Sequence, residues 1–429
     1  MFFHLSKYLR SYQYLFLILI AASYTSCKKD SDEDVPPNAS PKTGTRNELT
    51  LDSIFLYAKE IYYWQEALPD YATFNPRKRY AGIFPERTAY QKELFDITQY
   101  KLNAAGLPYE KSTSGEYPRY SYLAEEQMTS AQHAATLVSI MPSSEGIQKV
   151  EMSKDKIGYL SFHSFDPLSN MKAELDKAFE EFAFTGIEAL IIDLRHNQGG
   201  YVETAEYIAN LIAPSSLQSK VMFSELFNPI LRSGRASILR HQPYLDDNGN
   251  QVRKDGKLIT LADINFSENA NITKFTKAGK LETVKKIYFL VTGKTASASE
   301  LLISCFKPHL PVRLVGERTY GKPVGFFPVN IDQYEIYLAS FLLRNADGWS
   351  DYFDGIPADI LVKENAVDLS GDNQDIYISA VLKDIEGSTG KKSSLSSKKM
   401  ATVHRQQSEL SIQQSSDFIP IVKRQFKLK

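Results

Sequence analysis

The chain has 429 residues, 43% of them hydrophobic, and its 50 basic and 51 acidic side chains leave a formal charge of -1. Near-neutrality provides no field to gather a nucleic-acid backbone, so nucleic acid is excluded as an expected partner, while the apolar content suffices for at least one large core. With only two cysteines, Cys27 and Cys305, there is no disulfide framework, and Cys305, inside the apolar run from Leu301 to Phe306, reads as an inert core thiol.

Lys7 and Arg10 precede an apolar stretch from Tyr14 to Ala22 and then small or polar residues up to Cys27, the pattern of an export signal over residues 1–26. The stretch is shorter than the ~20 apolar residues that a membrane-spanning helix requires. Tyr24-Thr25-Ser26-Cys27 resembles the lipobox of bacterial lipoproteins, with Tyr24 where that pattern prefers Leu. The resemblance implies that Cys27 is lipidated and becomes the first mature residue. The chain would then be held to a membrane of the cell envelope, on its periplasmic or outer-surface face, by an N-terminal lipid anchor. Residues 27–47, charged and then rich in Pro, Asn, Ser and Thr, predict a flexible tether.

From Leu51 to Ala67, and again from Tyr90 to Leu107, apolar and aromatic residues recur at helical spacing, Ile54, Tyr57, Ala58 and Ile61 among them. They predict a small helical domain over 48–145 whose aromatic stripe is core. The pattern then changes to short apolar strands alternating with helices. Strands are expected from Ile157 to His163, Glu188 to Leu194, Ile287 to Thr292, Val312 to Gly316 and Leu338 to Arg344. Helices are expected from Met171 to Phe184, Tyr201 to Ile212 and Ala298 to Phe306. That alternation predicts an α/β layer architecture with a largely buried sheet, in a domain over 146–386. Residues 220–280, polar and carrying the turn signals Asp247-Asn248-Gly249 and Asp255-Gly256, read as an inserted hairpin or flap. Residues 387–429, rich in Ser, Lys and Gln, read as a disordered basic tail.

Three segments of the α/β region carry chemistry. Ala189 to Gly200 (ALIIDLRHNQGG) is a buried strand running into a turn with paired glycines, where converging backbone N–H groups can stabilise an oxyanion or a phosphate. Phe289 to Glu300 (FLVTGKTASASE) ends in small residues with two serines at a helix start; either caps the helix, or one attacks a carbonyl if a base adjoins it. Its Gly293-Lys294-Thr295 imitates a phosphate-binding loop, but Tyr288 stands where that loop needs its first glycine. Val315 to Gly325 (VGERTYGKPVG) presents a lysine flanked by glycines and followed by Val324, Phe326 and Phe327. An exposed lysine titrates near ~10.4, so it serves as a base near neutrality only if desolvated.

Together these segments resemble the catalytic core of the C-terminal processing (tail-specific) serine proteases, from about Lys156 to Ile360. The resemblance implies an α/β, crotonase-like (ββα) serine peptidase core preceded by the small helical domain. It implies Ser297 as nucleophile and Lys322, 25 positions later, as general base. The backbone N–H of Ala298, with one from Gly199 or Gly200, would form the oxyanion hole, and Ser299, Glu300 and Asn197 would support the site. A protein or peptide substrate, an acyl-enzyme, and no cofactor or metal follow from the same resemblance. The block from Asp354 to Asp359 (DGIPAD) also resembles a family block near the end of the core, with a shifted proline. Two departures stand out: only about 45 residues separate the second helical segment from the first core strand, too few for the carboxylate-capturing PDZ domain of many members, and Phe326 replaces the Gln that in some members orients the lysine.

A Ser-His-Asp hydrolase is disfavoured, since His163 and His196 lie in core segments and no Gly-x-Ser-x-Gly elbow occurs. No His-Glu-x-x-His zinc motif occurs either. The rival of a different class is a non-catalytic peptide- or ligand-binding lipoprotein on the same fold; proximity of Ser297 and Lys322 discriminates the two. Nothing in the sequence indicates an oligomeric state.

Overall fold

The computed structural model describes residues 40–111, 115–125, 148–150, 156–246, 249–363, 375–389 and 426–429. The export signal, Cys27, most of the tether, the Asp247-Asn248 turn and most of the basic tail lie outside the described residues. The chain divides into two units, each taken by itself. The smaller includes residues 69–75, where Asp70 caps the helix Tyr71–Phe74 by accepting from the Thr73 N–H at 2.7 Å. The larger, residues 44–68 and 76–429, contains everything that follows.

Helix α1 (Arg46–Ile61) starts at a capping box in which Thr45 and Glu48 satisfy each other's backbone N–H groups. It packs against α2 (Glu86–Thr98), and its Leu51, Ile54, Ala58 and Ile61 are all buried. The Arg77 guanidinium, 2.6 Å from the buried Asp52 carboxylate, ties α1 to the short helix Pro76–Tyr80 between them.

The apolar runs of the central region become a six-stranded sheet whose spatial order follows the chain: β1 (Gln148–Val150), β2 (Ile157–Ser161), β3 (Ala189–Asp193), β4 (Lys286–Val291), β5 (Val312–Gly316) and β6 (Ile360–Leu361). All neighbouring pairs are parallel except the β1–β2 edge. Parallel neighbours need crossovers, supplied between β2 and β3 by α3 (Leu168–Thr185), after β3 by α4 (Val202–Ile212), and between β4 and β5 by α5 (Ala298–Phe306). Because alternate residues of a strand face opposite ways, both faces are core. Ile191, Tyr288, Leu290 and Val315 pack with Tyr377, Ile378 and Val381 of α6 (Ile376–Thr389), while Leu190, Ile192, Phe289 and Leu314 are buried on the other side. The expected α/β class with a parallel sheet is thus what the chain forms.

Two differences from the sequence expectation concern smaller sheets. Residues 220–280 are not merely a polar insert: Val221–Phe227 and Ile272–Lys274 join Phe341–Asn345 and Val324–Gly325 in an antiparallel sheet, while Arg253–Leu258 forms the exposed hairpin that Asp255-Gly256 foretold and Leu245 bridges Gln251. The apolar run beginning at Leu338 is interrupted, with strands at Tyr334–Tyr337 and Phe341–Asn345. At Ala339 the backbone N–H donates to Ser121 Oγ and the C=O accepts from the Tyr63 N–H, so its hydrogen bonds leave the ladder.

At the end of β3 a buried ion triad fastens α6 to the sheet. The Arg195 guanidinium lies 2.5 Å from Asp193 and 2.8 Å from Asp375, with its carbon 4.6 Å from the Tyr377 ring centroid. Asp375 also caps α6 by accepting from the Tyr377 and Ile378 N–H groups. Removing one partner strands the others in the interior. Asp375→Ala is expected to lower the unfolding free energy by about 3 kcal/mol in urea titration; a loss below about 0.5 kcal/mol would mean that the triad does not hold α6.

Candidate active site

The loop between β4 and α5 is pinned from both sides. Thr295 Oγ1 donates to the Leu194 C=O at 2.7 Å and accepts from the Thr292 N–H, and Thr292 Oγ1 donates to the Arg195 C=O. These bonds lock the serine loop against the start of the glycine turn. Ser297 is then the N-cap of α5 with φ 60° and ψ -120°, a conformation that a non-glycine residue holds only when its surroundings impose it, at about 1–3 kcal/mol. Its side chain is 0% exposed.

Glu300, three residues on, imposes much of that geometry. Its fully buried carboxylate accepts from the Ser297 N–H at 3.1 Å, Thr319 Oγ1 at 2.5 Å, the Gly321 N–H at 2.7 Å and the Lys322 N–H at 2.8 Å. Burial pushes its pKa above the ordinary carboxylate value, and the four donors pull it back. One side chain therefore holds the serine loop and the lysine loop in fixed relation, and a further bond from the Tyr320 N–H to the Thr295 C=O joins them directly.

The lysine loop is also gripped from the helical region. Arg119 donates to the Tyr320 C=O at 2.6 Å and Tyr120 Oη donates to the Gly321 C=O at 2.7 Å. Gly321 has φ 93°, and a Cβ there would lie 2.3 Å from the Phe353 carbonyl oxygen, so glycine alone fits. Thr319 exchanges hydrogen bonds with Ile356, which places the Asp354–Asp359 block behind the loop.

Lys322 is 4% exposed. Desolvation brings its pKa down from 10.5 to about 8, opposed by the charges of Glu110 and Glu300 and assisted by Arg119. Its Nζ lies 5.3 Å from the centroid of Phe326, so an aromatic face adjoins the amine. Glu110 is itself buried and held by the Tyr120 and Ser121 N–H groups and Ser121 Oγ.

The glycine turn closes the third side. At Gly199, with φ 110°, a Cβ would stand 2.9 Å from Ser297 Cβ and 3.1 Å from the Ala298 nitrogen. The turn is therefore in contact with the start of α5, which is reinforced by Ser299 Oγ and the Ala296 N–H donating to the Asn197 C=O. The Gly199 N–H donates to Asn197 Oδ1 at 2.8 Å and is thereby committed, leaving the Gly200 N–H as the turn's candidate anion donor. Among the described residues, neither the Gly200 nor the Ala298 N–H donates to a protein acceptor.

The Glu300 carboxylate thus ties the backbones of Ser297, Gly321 and Lys322 together, and Asn197 and Gly199 lie against Ala296 to Ser299. His163 lies exposed rather than in the core, and Cys305 is a buried free thiol. Among the described residues no group of three or more His, Cys, Asp or Glu side chains is arranged to hold a metal ion. Glu110, Arg119, Tyr120 and Thr319 were not singled out in the sequence; Thr319 lies within the lysine segment, but the other three carry no local signal.

Residues 156–362 match the model of peptidase family S41, and this region is homologous to the C-terminal processing proteases. It is 23% identical over 170 residues to a chloroplastic C-terminal processing peptidase of Tetradesmus obliquus, covering 40% of this chain and 27% of that one. It is 25% identical over 166 residues to a carboxyl-terminal-processing protease of Synechocystis sp., covering 39% and 28%. The match spans less than a third of the length of these curated relatives. Among solved structures, a lipoprotein from Streptococcus agalactiae is similar at a TM-score of 0.42 and 15% identity, covering 76% of this chain and 94% of that chain. A photosystem II D1 C-terminal processing protease is similar at 0.44 and 14%, covering 75% and 94%.

Glu300→Gln replaces one acceptor oxygen with an NH2 group that faces donors. It is expected to lower stability by about 1–3 kcal/mol and the melting temperature accordingly, measured by calorimetry; an unchanged melting temperature would mean that the four bonds carry no net stabilisation.

Proposed function

On a segment that matches peptidase family S41 over residues 156–362, we propose that the chain is a serine-type peptidase whose nucleophile is Ser297 and whose general base is Lys322. The observation that carries this reading is the Glu300 clamp, because a carboxylate shared by the Ser297, Gly321 and Lys322 N–H groups aligns two motifs that otherwise have no reason to meet. The depressed pKa of Lys322, about 8, supports it independently: at pH 7 about a tenth of the amine is neutral and able to accept a proton, far more than at the ordinary lysine value.

In the proposed reaction neutral Lys322 Nζ takes the Ser297 Oγ proton as Oγ attacks the scissile carbonyl carbon. The N–H groups of Ala298 and Gly200 receive the negative charge on the carbonyl oxygen. Collapse of the tetrahedral adduct expels the amine, which takes the proton from the Lys322 ammonium and leaves an acyl ester on Ser297. Water, deprotonated by Lys322, attacks the ester and regenerates the hydroxyl. Asn197 and Ser299 hold the glycine turn and the helix start in register, and Glu300 fixes both loops.

Exported or envelope polypeptides are the proposed substrates, and lipidation of Cys27 the proposed means of anchoring. No helix among the described residues is long and apolar enough to cross a membrane. Metabolic labelling with a radioactive fatty acid is expected to mark the wild type and not Cys27→Ser; equal labelling of both would remove the anchor.

Two further results are expected of the catalytic reading. Ser297→Ala and Lys322→Ala should each lower the rate of cleavage of an unfolded protein at least about a thousandfold, with circular dichroism unchanged. Cleavage that survives Ser297→Ala would refute the nucleophile, and no cleavage by the folded wild type would favour a non-catalytic binding role. With pre-steady-state acylation as the readout, the rate should rise with pH through about 8, as Lys322 loses its proton, and level off above; a rate falling across that window would contradict a neutral amine as base.

A further inference from the structure

Away from the site, a strand-like contact is made by a stretch of chain whose basic composition gave no sign of it. Phe426–Lys429 runs antiparallel to Asp263–Asn265, with Ile264 opposite Leu428. The Asn265 N–H donates to the Lys427 C=O at 2.8 Å and the Lys429 N–H donates to the Asp263 C=O at 3.0 Å. The Phe426 N–H donates to Tyr244 Oη at 3.0 Å, and Lys429 Nζ donates to the Ala262 C=O. Exposure alternates along the segment: Phe426 and Leu428 are half-buried, Lys427 and Lys429 exposed, the period of a strand with one face docked.

The docked face has specific walls. The Phe426 ring lies 5.7 Å from Phe266, 5.8 Å from Phe327 and 6.1 Å from Tyr244, centroid to centroid, each at a steep edge-to-face angle. Leu428 meets Ile264, itself fully buried. Main-chain bonds of this kind take any sequence, whereas the aromatic niche and the Ile264 contact select an aromatic residue and an aliphatic residue two positions apart.

We propose that Tyr244, Asp263–Phe266 and Phe327 form a strand-addition docking surface for an extended peptide of the form Phe-x-Leu, and that this chain's own Phe426–Lys429 is its resident occupant. A peptide of the same pattern supplied from another molecule then competes with the resident segment, and its apparent affinity is set by the fraction of time the seat is vacant. This inference is independent of the peptidase reading, since no group of the proposed reaction takes part.

The test is fluorescence anisotropy with a labelled, amidated peptide of the sequence Gln-Phe-Lys-Leu-Lys, titrated with the unchanged full chain and with full chains carrying Phe426→Ala or Leu428→Asp. Each substitution loosens the resident segment. The expected result is saturable binding about tenfold tighter to either variant than to the unchanged chain, with no binding of a peptide in which Ala replaces Phe. Equal affinity for all three chains, or no binding to a variant that retains its near-ultraviolet circular dichroism, would overturn the proposal. The unchanged chain gives a reading that needs neither variant: the Asn265 amide, whose acceptor is Lys427, is expected to exchange slowly with solvent deuterium and to stay protected at saturating peptide. Fast exchange of that amide in the unchanged chain would equally overturn it.

Discussion

Glu300 is fully buried, negatively charged when ionised, and surrounded by donors drawn from two loops separated in sequence by β5. A carboxylate in such a place is tolerated only while its lone pairs are filled, so the Ser297, Gly321 and Lys322 N–H groups and the Thr319 hydroxyl must stay where they are. That requirement explains several other features at once. It gives Ser297 a reason to hold a positive φ at the head of α5, and it ties the lysine loop, where the Phe353 carbonyl admits only glycine at 321, to the serine loop.

The lysine is the second constraint, and it acts through desolvation. Bringing an amine from 10.5 to about 8 corresponds to on the order of 3 kcal/mol against its charged form. Had Glu110 and Glu300 been closer, or less engaged with backbone donors, they would have restored the charge; both are instead occupied with N–H and hydroxyl groups. Arg119 pushes in the same direction as burial while its guanidinium anchors the Tyr320 carbonyl. The helical region is therefore part of the proposed site's electrostatics.

What was legible in the sequence follows from how local each determinant is. Helix α5 and strand β5 were foreseen at their observed ends because small residues, an apolar run and flanking glycines mark them within a few positions. The three chemical segments were legible for the same reason. The break at Leu338–Ser340 was not, because it depends on Ser121 and Tyr63 capturing the Ala339 backbone from far along the chain. Val221–Phe227 was obscured by Ser224 and Glu225, which sit in a strand with one partner, Phe341–Asn345, more than a hundred residues away. Arg119, Tyr120 and Glu110 were invisible on the same grounds: their contacts with Tyr320 and Gly321 or their field at Lys322 exist only in the folded chain.

In the proposed reaction the geometry around Glu300 makes the Ser297 hydroxyl nucleophilic through Lys322. An acylating β-lactone probes this directly, since attack by Ser297 Oγ opens the ring and leaves an ester of the full reagent mass. Intact-mass and peptide mapping of the full chain at pH 9 should find a single adduct, on the peptide containing Ser297, and none in Lys322→Met. An adduct of equal yield in Lys322→Met, or on another serine, would contradict the account.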